Sequence, residues 1–340
     1  MDTVNAHRRT RLSRLNGIGV LFVIWAGLVV SMYCADDPTL AIEDLLARGR
    51  VDDLIREVGK LIQTSPDNPT YYLGLGQAYL AVGDRDQAIR YFERAVAVAE
   101  HSSMAHLWLG RAYGEKADHS NLVSAVPWAK RTRLQFEEAV RWDNSNIEAR
   151  SDLAEFYIDA PAIIGGGADK ARQQIEYIDK RQPDLAHFLR ARLAEKEGNR
   201  VHAEQELHAA IQASDEPARY WMNLASFYRR WKRLDDMQSA IENGANAHRK
   251  RADVLFYGGE MLFESGRDLT KSADLLRLYL RNPDASVPAF QAHGTLGGVL
   301  EKLGKMDEAA AEYQAALDLA SEYDLAREGL ARVQNRAKKP

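Results

Sequence analysis

Three consecutive glycines, Gly165, Gly166 and Gly167, lie shortly before Lys170 at the start of a helix-like pattern. Backbone amides of a glycine-rich turn, together with a lysine, can hold a phosphate group. The loop that does so in nucleotide-binding enzymes follows a strand and carries a serine or threonine directly after its lysine. Ala171 occupies that position here, so the sequence predicts a turn between two helices. An anion held at the start of the following helix is the open alternative.

No other group of residues in the sequence indicates catalysis or metal binding. The nine histidines are scattered, and His202 and His208 are six residues apart, which places them on different faces of a helix. The single cysteine, Cys34, lies in an apolar N-terminal segment, which excludes a cysteine–histidine nucleophile pair and an intrachain disulfide. The sequence also lacks a G-x-S-x-G motif. It therefore predicts no catalytic residue, no metal site, no cofactor and no enzyme activity.

The charge pattern gives little support for nucleic acid as a partner. The formal net charge of the 340 residues is -4. Two basic runs, at residues 229–233 and 248–251, could bind RNA with Trp231 as a stacking surface. Both runs fall at helix ends, where cations interact favourably with the helix dipole and remain in water. A solvated surface is the favoured interpretation, and acidic partners or anionic lipids remain alternatives.

The N-terminal segment has the order of an export signal or a membrane anchor. A basic segment at residues 1–16 contains four arginines, and an uncharged, largely apolar segment follows at residues 17–35. As a helix, the apolar segment could just cross a bilayer core, and the arginines would place the following residues outside the cytoplasm. Cys34 could be the modified residue of a bacterial lipoprotein, but the residues before it match that signal poorly. An uncleaved anchor is slightly favoured over a cleaved signal.

Small residues recur along the rest of the chain at intervals of 34 to 44 residues. Where two antiparallel helices press together, only a small side chain lets the backbones approach, and neighbouring leucine and tyrosine fill the surrounding space. Because a single helix pair cannot bury its apolar face, such units stack into a solenoid. The sequence therefore predicts an all-α fold. The recurring residues are Gly76, Gly110, Ala154, Ala191, Ala225, Gly259 and Gly297.

The sequence around these small residues carries a recognisable pattern. Y-x-x-L-G-x-x-Y, starting at Tyr72, and A-x-x-x-F-x-x-A, starting at Ala88, resemble the helix pair of the tetratricopeptide repeat (TPR), a unit of about 34 residues. The resemblance implies a right-handed TPR superhelical solenoid. The segment A-P-x-I-x-G-G-G-x-x-K-A, starting at Ala160, is similar to a signature in a group of bacterial exported or membrane-anchored TPR proteins.

About eight helix-pair units are expected, followed by a capping helix and tail at residues 323–340. The third unit contains an insertion, in which Pro127 is expected to start the second helix. The fourth contains the glycine-rich turn, where Ile163 and Ile164 are expected to lie in a neighbouring groove. The expected units are residues 36–68, 69–102, 103–146, 147–183, 184–217, 218–251, 252–288 and 289–322.

The first helices of a TPR solenoid line a concave groove that binds a peptide, and the resemblance places candidate partner-binding residues there. The candidates are drawn from the positions one residue after each small residue and three residues before it. Charges alternate with apolar side chains at these positions, which suits a partner segment of mixed character, although half of them could instead pack between units. The candidates are Leu73, Gln77, Leu107, Arg111, Ser151, Glu155, Phe188, Arg192, Met222, Phe256 and Glu260.

The sequence favours a non-catalytic protein–protein interaction scaffold that binds a peptide or partner protein in its concave groove. The expected location is the bacterial inner membrane facing the periplasm, or the periplasm if the signal is cleaved. The membrane is a partner through the N-terminal segment if that segment is retained, and nucleic acid is disfavoured. The alternative is an envelope assembly factor that acts as the substrate-presenting subunit of an enzyme complex.

Overall fold

The computed structural model of the protein describes residues 38–248, 251–283 and 286–337. The predicted basic segment and the predicted signal or anchor, residues 1–35, lie outside the described residues, and so does Cys34. The chain divides into two compact units, residues 1–41 and 42–340, and of the first unit only the start of the first helix is described. Among the described residues, no helix combines the length and the apolar character that a bilayer crossing requires.

The described residues form helices joined by short turns and contain no strand, which confirms the all-helical fold predicted from the spacing of apolar residues. A single turn of 3-10 helix, Ala162–Ile164, precedes the three glycines. The seventeen α-helices of this part of the chain are α1 (Pro38–Ala47), α2 (Val51–Thr64), α3 (Pro69–Val82), α4 (Arg85–Val98), α5 (Ser103–Asp118), α6 (Leu122–Trp142), α7 (Ile147–Asp159), α8 (Ala168–Asp179), α9 (Pro183–Lys196), α10 (Arg200–Ala213), α11 (Ala218–Arg230), α12 (Leu234–Ala247), α13 (Asp253–Ser265), α14 (Leu269–Leu280), α15 (Ala289–Lys302), α16 (Met306–Leu319) and α17 (Asp324–Ala337).

The helices from α3 onward pack as consecutive pairs, α3 with α4, α5 with α6 and so on to α15 with α16. The second helix of each pair also packs against the first helix of the next pair. Such stacking buries the apolar face that one pair alone would leave in water. The final helix, α17, packs against both α15 and α16 and so covers the last pair.

The small residues allow the two helices of a pair to approach each other. At Gly76, an added Cβ would lie 2.4 Å from Cε1 of Phe92, whose side chain is fully buried. At Gly297, an added Cβ would lie 2.7 Å from the ring of Tyr313. An aromatic ring of the second helix therefore fills the space that the missing side chain leaves, as close packing requires.

The insertion in the third repeat lengthens a helix rather than a loop. α6 starts at Leu122, where the side chain of Asn121 accepts a hydrogen bond from the Ser124 amide over 3.0 Å. Pro127 lies inside this helix, so the expectation that Pro127 starts it is wrong. The reason is that the capping asparagine satisfies an amide of the first turn and begins the helix earlier, while the proline, in the second turn, removes one intrahelical hydrogen bond without ending the helix.

The last repeat of residues 42–340 contacts the first two repeats. Nε2 of Gln291, in α15, donates a hydrogen bond to the carbonyl oxygen of Ala81, at the end of α3, over 2.9 Å. The backbone amide of Ser321, just after α16, donates to Oδ2 of Asp52, at the start of α2, over 3.0 Å. The two ends of the repeat array therefore meet.

Candidate partner-binding cavity

A cavity of about 640 Å³ lies between the first helices of several repeats. Its lining comes from α5, α7, α11 and α13, with a contribution from the start of α9. Carboxylates and arginines line it together with apolar side chains such as Val254 and Met261. A surface of this mixed character can position both polar and apolar groups of a ligand.

Five of the predicted groove residues line this cavity. They belong to four different repeats, which the fold brings together at one place. The five are Arg111, Ser151, Glu155, Met222 and Glu260.

Three other predicted groove residues lie in the core instead. Leu107, Phe188 and Phe256 are buried among the helices and do not line the main cavity. The ring of Phe188 packs 6.5 Å, centroid to centroid, from that of Tyr220 in α11, and Phe256 packs 6.0 Å from Tyr279 in α14. At these three positions the apolar side chain therefore faces a neighbouring helix, as close packing requires.

The remaining three predicted residues lie near other surfaces. Leu73 is half-buried between helices, and Gln77 lines a separate cavity of about 420 Å³ next to the contact between the two ends of the array. Arg192, in α9, donates from Nη2 to Oδ2 of Asp159 over 2.7 Å, and its guanidinium lies 3.6 Å from Oε2 of Glu155. Arg192 thus holds one wall of the main cavity in place through Glu155.

Ion pairs join the first helices of neighbouring repeats around the main cavity. Arg111 of α5 donates from Nε to Oδ2 of Asp152 in α7 over 2.6 Å, and from Nη2 to Oε1 of Glu148 over 2.8 Å. Arg229 of α11 pairs with Glu264 of α13. Charge-assisted bonds of this kind fix the geometry of both partners, so the helices that line the cavity are held at defined positions.

Burial changes the acidity of the carboxyl groups in the cavity. It raises the pKa of Asp152 and of Glu155, although the neighbouring arginines oppose this effect. Burial, with the nearby charge of Glu264, raises the pKa of Glu260 to about 7. Removing a carboxylate from water disfavours its charged form, so Glu260 is only partly ionised near neutral pH.

Counting from the small residues missed several polar residues of the cavity, including two in α11. Asn223 and Arg219, both in α11, line it. Nδ2 of Asn223 is buried and has no hydrogen-bond partner among the residues that the structure describes, and such a donor is costly unless a ligand or water satisfies it. Asn223 lies two residues before Ala225, so a wider count around each small residue would have included it.

The glycine-rich turn has no amides to offer a phosphate. The amides of Gly165, Gly166 and Gly167 donate to backbone carbonyls over 3.0, 3.2 and 2.9 Å. Ile164 lines a neighbouring cavity, but Ile163 is exposed, which corrects the expectation that both lie in a groove. Among the described residues, no group of three His, Cys, Asp or Glu side chains is placed to hold a metal ion.

Arginines of the basic run at residues 229–233 form ion pairs with neighbouring helices. Arg230 pairs with Glu195 of α9 over 2.7 Å, and Arg233 pairs with Glu204 of α10 over 2.8 Å. Trp231 is half-buried. Paired cations and a covered ring leave little for a nucleic acid to bind.

Comparisons with known proteins identify the type of repeat. Residues 73–131 and 263–324 match the family model of the tetratricopeptide repeat, so these two segments are similar to TPR units. No curated protein shows significant sequence similarity to the chain.

Several solved structures are similar to the chain. The Cut9–Hcn1 hetero-tetramer of the APC/C is 15% identical over 87% of this chain, with a TM-score of 0.46, and this chain spans only 48% of that one. A thermophilic TPR protein of Thermus thermophilus is 16% identical over 66% of this chain and 97% of its own, with a TM-score of 0.43. Yeast Tom70 is 14% identical over 89% of both chains, with a TM-score of 0.42.

Proposed function

We propose that the protein is a non-catalytic scaffold that binds a segment of a partner protein in the cavity between α5, α7, α11 and α13. TPR proteins generally act as protein-interaction scaffolds. The observation that supports this site is that five side chains expected to face a partner, from four different repeats, line the same cavity.

The chemistry of the lining suits a partner segment with both polar and apolar side chains. Met222 and Met261 offer apolar, adaptable surfaces. Asn223 supplies an unsatisfied donor, and Glu260 supplies an acceptor. Because ion pairs between repeats hold the lining helices in place, little ordering is needed when a partner binds.

Photo-cross-linking tests this placement. A photoreactive amino acid in place of Ser226, which lines the cavity, is expected to capture the partner in intact cells. The same amino acid in place of Arg90, an exposed residue of α4, is expected not to capture it. Arg219→Glu reverses a charge in the cavity and is expected to reduce capture severalfold, whereas Arg90→Glu leaves it unchanged. Equal capture at both positions contradicts the proposal.

We also propose that the repeats act on the extracytoplasmic side of a bacterial inner membrane. The support is the order of four arginines in residues 1–16 followed by the uncharged segment at residues 17–35. A reporter enzyme that works only outside the cytoplasm, fused after Pro340, is expected to be active. A reporter that works only in the cytoplasm is expected to be inactive at the same position, and the reverse pair of results refutes this location.

A further inference from the structure

The start of α6 carries an unusual group of exposed apolar side chains. Leu122 is 87% exposed, Val123 is 84% exposed and Val126 is 40% exposed. They lie in the first two turns of a helix of 21 residues, whereas the other described α-helices have 10 to 16 residues. Exposed apolar side chains in one cluster commonly mark a site of interaction.

Two basic residues follow the apolar tip along α6, and one of them lies on the same face. Leu122, Val126 and Lys130 are spaced by four residues, which aligns their side chains along the helix. Lys130 and Arg131 are both exposed. No acidic residue occurs between residues 119 and 136, and the nearest carboxylate before the tip is that of Asp118, at the end of α5.

The opposite face of α6 packs against the rest of the protein. Thr132 and Phe136 are buried, and Phe136 packs against Gly110 of α5. Arg131 lies at the edge of this face: its guanidinium is 4.8 Å from the ring of Trp128 and 5.7 Å from that of Tyr113 in α5, and the side chain stays exposed. The core thus fixes the direction of α6, and the first two turns present their apolar side chains and cations to the surroundings.

We propose that the first two turns of α6 insert into the surface of an anionic lipid bilayer. Leu122, Val123 and Val126 would enter the boundary between headgroups and acyl chains, while Lys130 and Arg131 would meet the lipid phosphates. At 1.5 Å per residue, Lys130 lies about 12 Å along the helix from Leu122, close to the roughly 5–10 Å to which interfacial apolar groups are buried.

The combination of groups favours lipid over other occupants. A nucleic acid would use the two cations but would gain nothing from the apolar tip. A second copy bound tip to tip would bring like charges together. Independently, the arginine-led apolar segment at residues 17–35 would hold the repeats beside a bilayer if it is retained.

Fluorescence quenching by lipids tests the proposal in the full chain. Val123→Cys, combined with Cys34→Ser to remove the single native cysteine, provides one site for an environment-sensitive dye. The matched control is Val201→Cys, at a position in α10 that is 69% exposed. In vesicles of phosphatidylcholine and phosphatidylglycerol containing spin-labelled lipid, we expect severalfold stronger quenching at position 123 than at position 201.

Charge reversal provides the second test. Lys130→Glu with Arg131→Glu is expected to lower quenching at position 123 to the level seen at position 201, because cations near an anionic surface favour binding. Arg90→Glu with Lys180→Glu makes the same change in net charge at two positions outside α6 and is expected to leave the quenching intact. If the tip binds a protein partner and not lipid, no quenching is expected at position 123. That result overturns the proposal. A disulfide dimer of the unlabelled Val123→Cys, Cys34→Ser protein that persists in vesicles indicates a second copy and also overturns it.

Discussion

Gly76 and Gly59 are both helical glycines, but they differ in their surroundings. The position of a Cβ on Gly76 overlaps the buried ring of Phe92, whereas no described atom lies within 4 Å of one on Gly59. We expect Gly76→Ala to lower the free energy of unfolding by about 1–2 kcal/mol, since overpacking outweighs the gain in helix preference. Gly59→Ala is expected to raise it by about 0.5–1 kcal/mol. Denaturant unfolding followed by circular dichroism measures both, and a Gly76→Ala protein as stable as the parent would contradict the packing.

Glu260 makes the stability of the protein depend on pH. Burial and the charge of Glu264 raise its pKa from 4.5 to about 7, so folding disfavours the ionised form. The resulting penalty is absent below pH 4.5, grows as pH rises and is complete above about pH 7. At about 1.4 kcal/mol per pKa unit, less solvent screening, it amounts to something on the order of 2 kcal/mol.

Glu260→Gln removes this penalty. The variant is expected to be more stable than the parent at pH 8 and no more stable at pH 4, as measured by thermal unfolding at each pH. Glu57→Gln is the control, because neighbouring cations lower the pKa of Glu57, and it is expected to bring no gain at pH 8. A constant difference between Glu260→Gln and the parent across this range would show that Glu260 does not titrate as described.

At the scale of helices, one asparagine joins three elements. Oδ1 of Asn146 accepts from the Ala149 amide at the start of α7 over 2.9 Å, and its Nδ2 donates to Oγ of Ser103 in α5 over 2.9 Å. The Ser103 hydroxyl in turn donates to the carbonyl of Ala139 in α6 over 2.7 Å. The cap of α7 is therefore also a contact between helices of two repeats.

Asn146→Ala is expected to lower the free energy of unfolding by about 1–2 kcal/mol, because both the cap and the link to Ser103 are lost. Asn121→Ala removes a cap with one hydrogen bond at the exposed start of α6 and is expected to cost about 0.5–1 kcal/mol. Asn146→Asp keeps the acceptor and loses the donor, so it is expected to fall between the parent and Asn146→Ala. Equal losses for the two alanine variants, measured by denaturant unfolding, would rule out the interhelix link.

The sequence predicted the helix pairs better than it predicted which of their side chains face a cavity. Recurring small residues report directly on helix pairs, because close approach of two backbones leaves no alternative at Gly76 or Gly297. Whether a side chain faces a cavity depends on the rotation of one repeat against the next, which the spacing does not encode. For this reason Met222 lines the cavity, while Leu107, at the same offset from its small residue, is fully buried in the core.

At the scale of the whole array, the contact between the first and last repeats could not be read from the sequence. Each repeat rotates slightly against its neighbour, and small rotations accumulate along a solenoid. The bond from Gln291 to Ala81 and the bond from Ser321 to Asp52 join residues more than 200 positions apart. In a simple solenoid each repeat contacts only its neighbours. Here a substitution at one end of the array can alter the local stability of the other end.

Gly49 lies at this contact, in the turn between α1 and α2, with a φ of 66°. An added Cβ would lie 2.8 Å from the Ala289 amide nitrogen at the start of α15. Gly83, in the turn between α3 and α4, has a φ of 88° and no described atom within 4 Å of an added Cβ. Both Gly49→Ala and Gly83→Ala carry the strain of a left-handed conformation, about 1–2 kcal/mol, but only Gly49→Ala also forces the two ends apart.

Hydrogen exchange separates these two effects. Gly49→Ala is expected to accelerate amide exchange in α1 and α2 and also in α15, because loss of the contact between the ends lowers the local opening free energy on both sides. Gly83→Ala is expected to accelerate exchange only in α3 and α4 and in the helices packed directly against them. If exchange in α15 responds equally to both variants, or to neither, the ends of the array are not coupled in solution.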